Sequence, residues 1–206
     1  MARKSYSEEQ RDEIKQALLE TMLKCITENG LIHSSVDSLC QKVGISKTFF
    51  YSLFDSKEEL VMQALRYQQP KLLAYARKLM DEYKSDWRQG VKVFLQNCCY
   101  GAKNGIAVLS IEEEQEMRRY LSQENFQAFQ RDQLIFFGKL LAVLGLSSEN
   151  IDPRLFGNLA LMMMMVYKAI PDTMPFLFPE AAEDMVDFQI NALLDAMEKA
   201  KINTKN

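Results

Sequence analysis

Histidine, tryptophan, proline and glycine are scarce in this chain, with one His, one Trp, 5 Pro and 8 Gly in 206 residues. So few prolines and glycines leave few places where a helix must break, which favours an all-α chain. The single histidine, His33, has no second imidazole with which to complete a zinc pattern. Nucleophile–base pairs built on histidine and glycine-rich phosphate loops are missing too, so an enzyme is not expected, and no cofactor is called for. Cys25, Cys40, Cys98 and Cys99 are too few for a disulfide framework, and the last two are adjacent and awkward to bridge. The longest unbroken apolar run, Leu159 to Val166, is far short of the ~20 residues that span a bilayer. At the start, Arg3 and Lys4 run straight into acids without an apolar stretch, so no secretory leader is expected. These absences predict a soluble, cytoplasmic protein with no membrane association. Basic charge is not in excess either: 25 Lys and Arg against 28 Asp and Glu give −3, so any surface for nucleic acid must be a local patch.

What is present is helical. Hydrophobic residues make up 48%, enough for a sizeable core, and the length suits one domain or two small ones. Ser7 is a candidate N-cap, with Glu8, Glu9 and Asp12 in the first turn. Ile14, Leu18, Met22, Cys25 and Ile26 then recur at three- and four-residue steps up to Asn29-Gly30. A first helix over about 7–29 follows. Ser34 or Ser35 caps a short helix carrying Val36, Leu39, Cys40 and Val43, which Gly44 ends. Ser46 caps another, predicted from Lys47 to Phe54. Ser56 then opens a longer helix with a capping-box spacing to Glu59. Two short helices about a glycine turn form a helix-turn-helix pattern.

The order of side chains through this stretch is more specific than the pattern. Asn29-Gly30, Ser35-Val36, Leu39-Cys40, Val43-Gly44-Ile45-Ser46, Phe50-Tyr51, Phe54 and Ser56-Lys57-Glu58-Glu59-Leu60 together resemble the TetR family of bacterial transcriptional regulators. The resemblance covers about residues 7–62. It implies an N-terminal three-helix DNA-binding domain, residues 1–57, before a larger helical effector-binding and dimerisation domain, 58–206. The implied partners are a double-stranded DNA operator, a second copy of the chain and a small effector. It also implies that Lys47, Thr48 and Phe49 read bases from the start of the recognition helix, with Ser52 a turn later. Tyr51 and Lys57 resemble the family's phosphate contacts, and Ser35 and Ser46 its helix-start hydroxyls. Phe49 departs from the small or hydroxyl residue usual there, and needs cover from DNA or a neighbouring helix. From Ser38 to Lys57, Lys42, Lys47 and Lys57 against Asp55 leave a local +2.

Farther on, apolar periodicity continues past Pro70, a predicted kink or break. Ser85-Asp86 caps a helix carrying Trp87, Val91, Phe94, Leu95, Cys98 and Cys99. Asn104-Gly105 is a stop, and Ile106 to Leu109 reads as the apolar start of the next helix. Glu112, Glu113, Glu114 and Glu116 read as a solvated acidic face pairing with Arg118, Arg119 or Lys103. Tyr120 to Leu144 reads as one aromatic-rich helix. Asp152-Pro153 starts a helix that is apolar nearly all round and so must be buried on every side. The last helix spans about Pro179 to Lys201. Excess apolar surface on these last two helices predicts an isologous dimer through a four-helix interface.

Twelve Met and twelve Phe permit an adaptable cavity for an apolar or amphipathic effector. Candidate lining residues are Trp87, Phe94, Cys98, Tyr100, Phe129, Phe136, Met162 and Tyr167, each set against ordinary core or dimer packing. Cys98 and Cys99 are weighed as sensor thiols against inert buried cysteines. The resulting expectation is a ligand-responsive dimeric repressor released from a near-palindromic operator. The alternative is a helix-turn-helix protein with no small-molecule effector, acting through a protein partner or in nucleoid organisation.

Overall fold

Serine opens six of the α-helices in the computed structural model, which describes residues 6–31, 33–101, 103–169 and 177–202. The leader reading at Arg3 and Lys4 falls outside these residues. Every regular element described is helical, so the fold is all-α. The α-helices are α1 (Glu8–Glu28), α2 (Val36–Val43), α3 (Lys47–Phe50), α4 (Lys57–Glu82), α5 (Trp87–Cys99), α6 (Ile111–Tyr120), α7 (Gln123–Val143), α8 (Pro153–Ala169) and α9 (Ala182–Ile202), the last preceded by a 3-10 turn, Pro179–Ala181. None of the described helices is long and apolar enough to cross a membrane.

The caps explain the boundaries. Ser7 Oγ accepts the Gln10 N–H while the Gln10 side chain accepts the Ser7 N–H, a reciprocal box that satisfies two orphan donors. Ser110 and Glu113 make the same box at α6. Ile106 to Leu109 was expected to begin that helix, but it is not helical. Gln68 on α4 donates to the Ala107 carbonyl and accepts its N–H, taking the place of a neighbouring strand, and the helix waits for Ser110. The helix expected over Tyr120 to Leu144 is also divided. Leu121 is extended and Ser122 caps α7 by accepting the Asn125 N–H. Pro70, by contrast, breaks nothing. α4 runs through it, although a proline there removes one N–H from the helix interior at a typical cost of about 3 kcal/mol. Helix α3 is shorter than predicted, because after Phe50 the chain tightens into a turn in which Ser52 and Leu53 donate to carbonyls only three residues back.

Two apolar cores form. One gathers Leu18, Met22, Ile26, Leu39, Phe50, Phe54 and Leu60 with Ala107, Leu109 and Met117. The other gathers Ala76, Val91, Phe94, Leu95, Leu141, Phe156, Ile190 and Leu194. Helix α4 belongs to both, its first half with the former and its second half with the latter. Full burial of Phe50 and Phe54 contributes about 1.5–3 kcal/mol each and fixes the turn after α3 against α1 and α4.

Candidate nucleic-acid interface and effector cavity

Helices α2 and α3 are joined by Gly44, Ile45 and Ser46. Gly44 closes α2 at φ 75°, the left-handed region that a side chain resists, and the Gly44 and Ile45 N–H groups both donate to the Cys40 carbonyl. Ser46 then caps α3 by accepting the Phe49 N–H, as Ser35 caps α2 by accepting that of Ser38. Both caps are exposed, so each hydroxyl that accepts a backbone N–H still has its own O–H to donate. Lys47, Thr48 and Ser52 are exposed as well, and Tyr51 is 53% exposed with its ring edge-on to Phe50. Ser52 turns its hydroxyl back to the Phe49 carbonyl.

Three placements change the charge reading of this surface. Lys47 Nζ pairs with Asp37 at 2.8 Å, and the Asp37 carboxylate raises the Lys47 pKa by hydrogen bond and charge together. Lys57 Nζ donates to the Leu31 carbonyl at 2.9 Å, and Lys42 Nζ lies 3.3 Å from Cys25 Sγ. The +2 counted from Ser38 onward omitted Asp37, which lies just before it. Arg11 on α1 partly restores the balance: its guanidinium donates to the Ser52 carbonyl and sits 5.2 Å from the Phe49 ring centre. Phe49 is covered on the other side by Tyr6, with ring centres 4.2 Å apart. Cover for Phe49 therefore comes from Arg11 of α1 and from Tyr6, just before its Ser7 cap, contacts that no local pattern around Ser46 reveals.

The acidic face is corrected at one position. Glu114 pairs with Arg118 as read, but Glu113 is only 3% exposed. Its carboxylate accepts the Leu31 N–H, the Ser110 N–H at 2.6 Å and Lys168 Nζ at 3.1 Å. Lys168 also donates to the Val108 carbonyl. Gly30 is needed beside this carboxylate, since its φ is +77° and a Cβ there would fall 2.7 Å from Glu113 Oε1. The turn between α1 and α2 is thus held from both sides, through the Leu31 N–H by Glu113 of α6 and through the Leu31 carbonyl by Lys57 of α4. The Ser110-x-x-Glu113 spacing is the one sequence signal that pointed to Glu113.

A cavity of about 130 Å³ lies between the two cores, walled by α4 to α8 and by residues 106–109. Cys98, Phe129 and Phe136 line it, together with Gln69, Met117, Phe137 and Met164. A second, more polar recess of about 200 Å³ adjoins α1, where Tyr100 and Tyr167 meet edge-on beside Thr27, Lys103 and Lys168. Burial, with Tyr100 alongside, pushes the Tyr167 phenol above its ordinary range. The remaining candidates line neither space. Phe94 is core, tilted against Tyr75. Trp87 donates its indole N–H to the Leu144 carbonyl at the end of α7. Met162 is 58% exposed. Burial raises the Cys98 thiol well above the usual range and Cys99 to about 11, so neither holds the thiolate that a redox sensor needs at neutral pH.

Helix α8 is not buried all round. Leu155, Leu159 and Met162 lie along one exposed stripe, and α9, packed beside it, exposes Phe188 at 73%. No protein-family model matches the chain, and no curated protein matches it.

Proposed function

We propose that this protein is a dimeric, ligand-responsive, DNA-binding transcriptional regulator of the TetR type, a repressor released from a near-palindromic operator by a small molecule. The observation that carries the reading is the exposed start of α3. Lys47 and Thr48 project there, flanked by the capping hydroxyls of Ser35 and Ser46 and by Tyr51. A recognition helix meets base edges with its N-terminal residues, while hydroxyls and phenols hold phosphate oxygens. Lys47 and Thr48 are the base readers in this scheme. Phe49, covered by Tyr6 and Arg11, fixes the helix and offers its remaining edge to a thymine methyl. Tyr51 and Lys57 hold the backbone, and Ser52 and Arg11 brace the turn.

Release follows from where α4 sits. It begins at Lys57, contributes to both cores and walls the cavity. An effector that fits better when α4 and α6 stand apart shifts the population toward heads that cannot share one site. Full reversal of a 1:99 equilibrium needs about 5.5 kcal/mol of differential affinity. The test is retention of genomic DNA fragments by the purified chain at two salt concentrations. Selective retention at physiological salt, weakening with a slope of about −0.9 per neutralised phosphate, is expected. Retention without sequence preference, or none, overturns the reading.

A further inference from the structure

Gln69 is one of the residues that wall the cavity between the two cores, and its side-chain amide nitrogen is buried without a hydrogen-bond partner. Its neighbour Gln68 spends both ends of its amide on Ala107, and Glu114 at the same cavity is engaged by Arg118. Gln69 is thus a donor held in apolar surroundings with nothing to donate to, a state that native interiors rarely leave uncompensated. No Lys or Arg is found among the described lining residues, so an anion would meet no counter-charge and would face the Glu114 carboxylate. The volume, about 130 Å³, is on the scale of the ~150 Å³ engineered cavities that take up benzene. We propose that this cavity binds a neutral ligand of single-ring size that carries one carbonyl-type acceptor, received by the side-chain N–H of Gln69. The proposal deepens the effector reading above and rests on it for its biological role, but the binding itself is measured without DNA.

Acetophenone and ethylbenzene share ring and size and differ in the acceptor. Calorimetric titration of the full chain with each gives a ratio of dissociation constants, and the same ratio is measured in Gln69→Leu. Comparing the two ratios cancels the different hydrophobicity of the probes. The expected result is a relative loss for acetophenone of about 3- to 10-fold on substitution, the worth of one neutral hydrogen bond. Gln69→Leu is also expected to melt above the parent, because it removes a buried unpaired donor. Gln69→Met serves the same comparison should the leucine variant fold poorly. A ratio unchanged within about 2-fold, tighter binding of benzoate than of acetophenone, or uptake of neither probe overturns the inference. Acetophenone that binds through Gln69 yet leaves operator DNA bound overturns the effector reading and leaves this one standing. Loss of probe binding with selective DNA retention intact does the reverse.

Discussion

At the start of α3, one carboxylate holds the ammonium of Lys47, the residue to which the proposed function gives base reading. Asp37 and Lys47 come from different helices, both side chains are more than half exposed, and the pair is 2.8 Å apart. An exposed pair of this kind contributes little to stability, so its consequence is functional. In the proposed binding mode it would neutralise the cation assigned to base reading and set a negative charge beside the phosphates. Asp37→Asn is therefore expected to strengthen DNA binding on every sequence, with little change in melting temperature. Lys47→Ala is expected to change which operator is preferred, by about 1–3 kcal/mol at one base position. Binding titrations against an operator and its single-base variants separate the two. An equal loss on all sequences for Lys47→Ala would assign that lysine to the backbone instead.

The turn between α1 and α2 is tied to α6, and Glu113 is its fastener. Without that carboxylate the Leu31 N–H stays buried and unpaired, which costs about 1–3 kcal/mol. Glu113→Ala is expected to lower stability by that amount and to speed amide exchange at Leu31. Lys168→Met, which leaves the Leu31 contact in place, is expected to do less. Unchanged exchange at Leu31 in Glu113→Ala would show that Lys57 alone holds the turn. The difference between Glu113 and the serine caps marks what was legible in the chain. Ser7, Ser35, Ser46, Ser56 and Asp86 are local signals, and each stands at the start of the helix it predicted. Glu113 meets a residue 82 positions away, and Gln68 shapes residues 106–110 from 39 positions away, so neither showed in periodicity. Four adjacent-looking glutamates averaged into a solvated face, although one of them faces inward. Pro70 read as a kink or a break because propensity is local, whereas packing along both halves of α4 carries the helix through it. In the candidate site, the exposed positions of α3 follow from its caps, while the partners of Lys47, Phe49 and Lys57 required the fold.

For the molecule as a whole, the apolar surface left on α8 and α9 is the feature that one chain alone does not satisfy. Leu155, Leu159 and Met162 follow one another at helical spacing, at 58%, 39% and 58% exposure, and Phe188 adds 73% on the helix packed alongside. Monomers seldom leave clustered apolar patches uncovered. Two copies placing these helices together would bury the stripe in an isologous four-helix contact, in which each residue meets the same surface of its partner. In the proposed function that arrangement would also supply two copies of α3, and heads about 34–36 Å apart would meet successive major grooves. Single glutamates at Leu159 or Phe188 are expected to convert the dimer to a monomer without unfolding it, because both side chains are exposed in the single chain. Sedimentation of the parent and of Phe188→Glu, with DNA titration of each, reads the outcome. The variant should lose most of its affinity for a two-half-site operator while keeping the weak salt-dependent binding of one head. A parent that sediments as a monomer at micromolar concentration would remove the dimer, and with it the two-headed mode of binding.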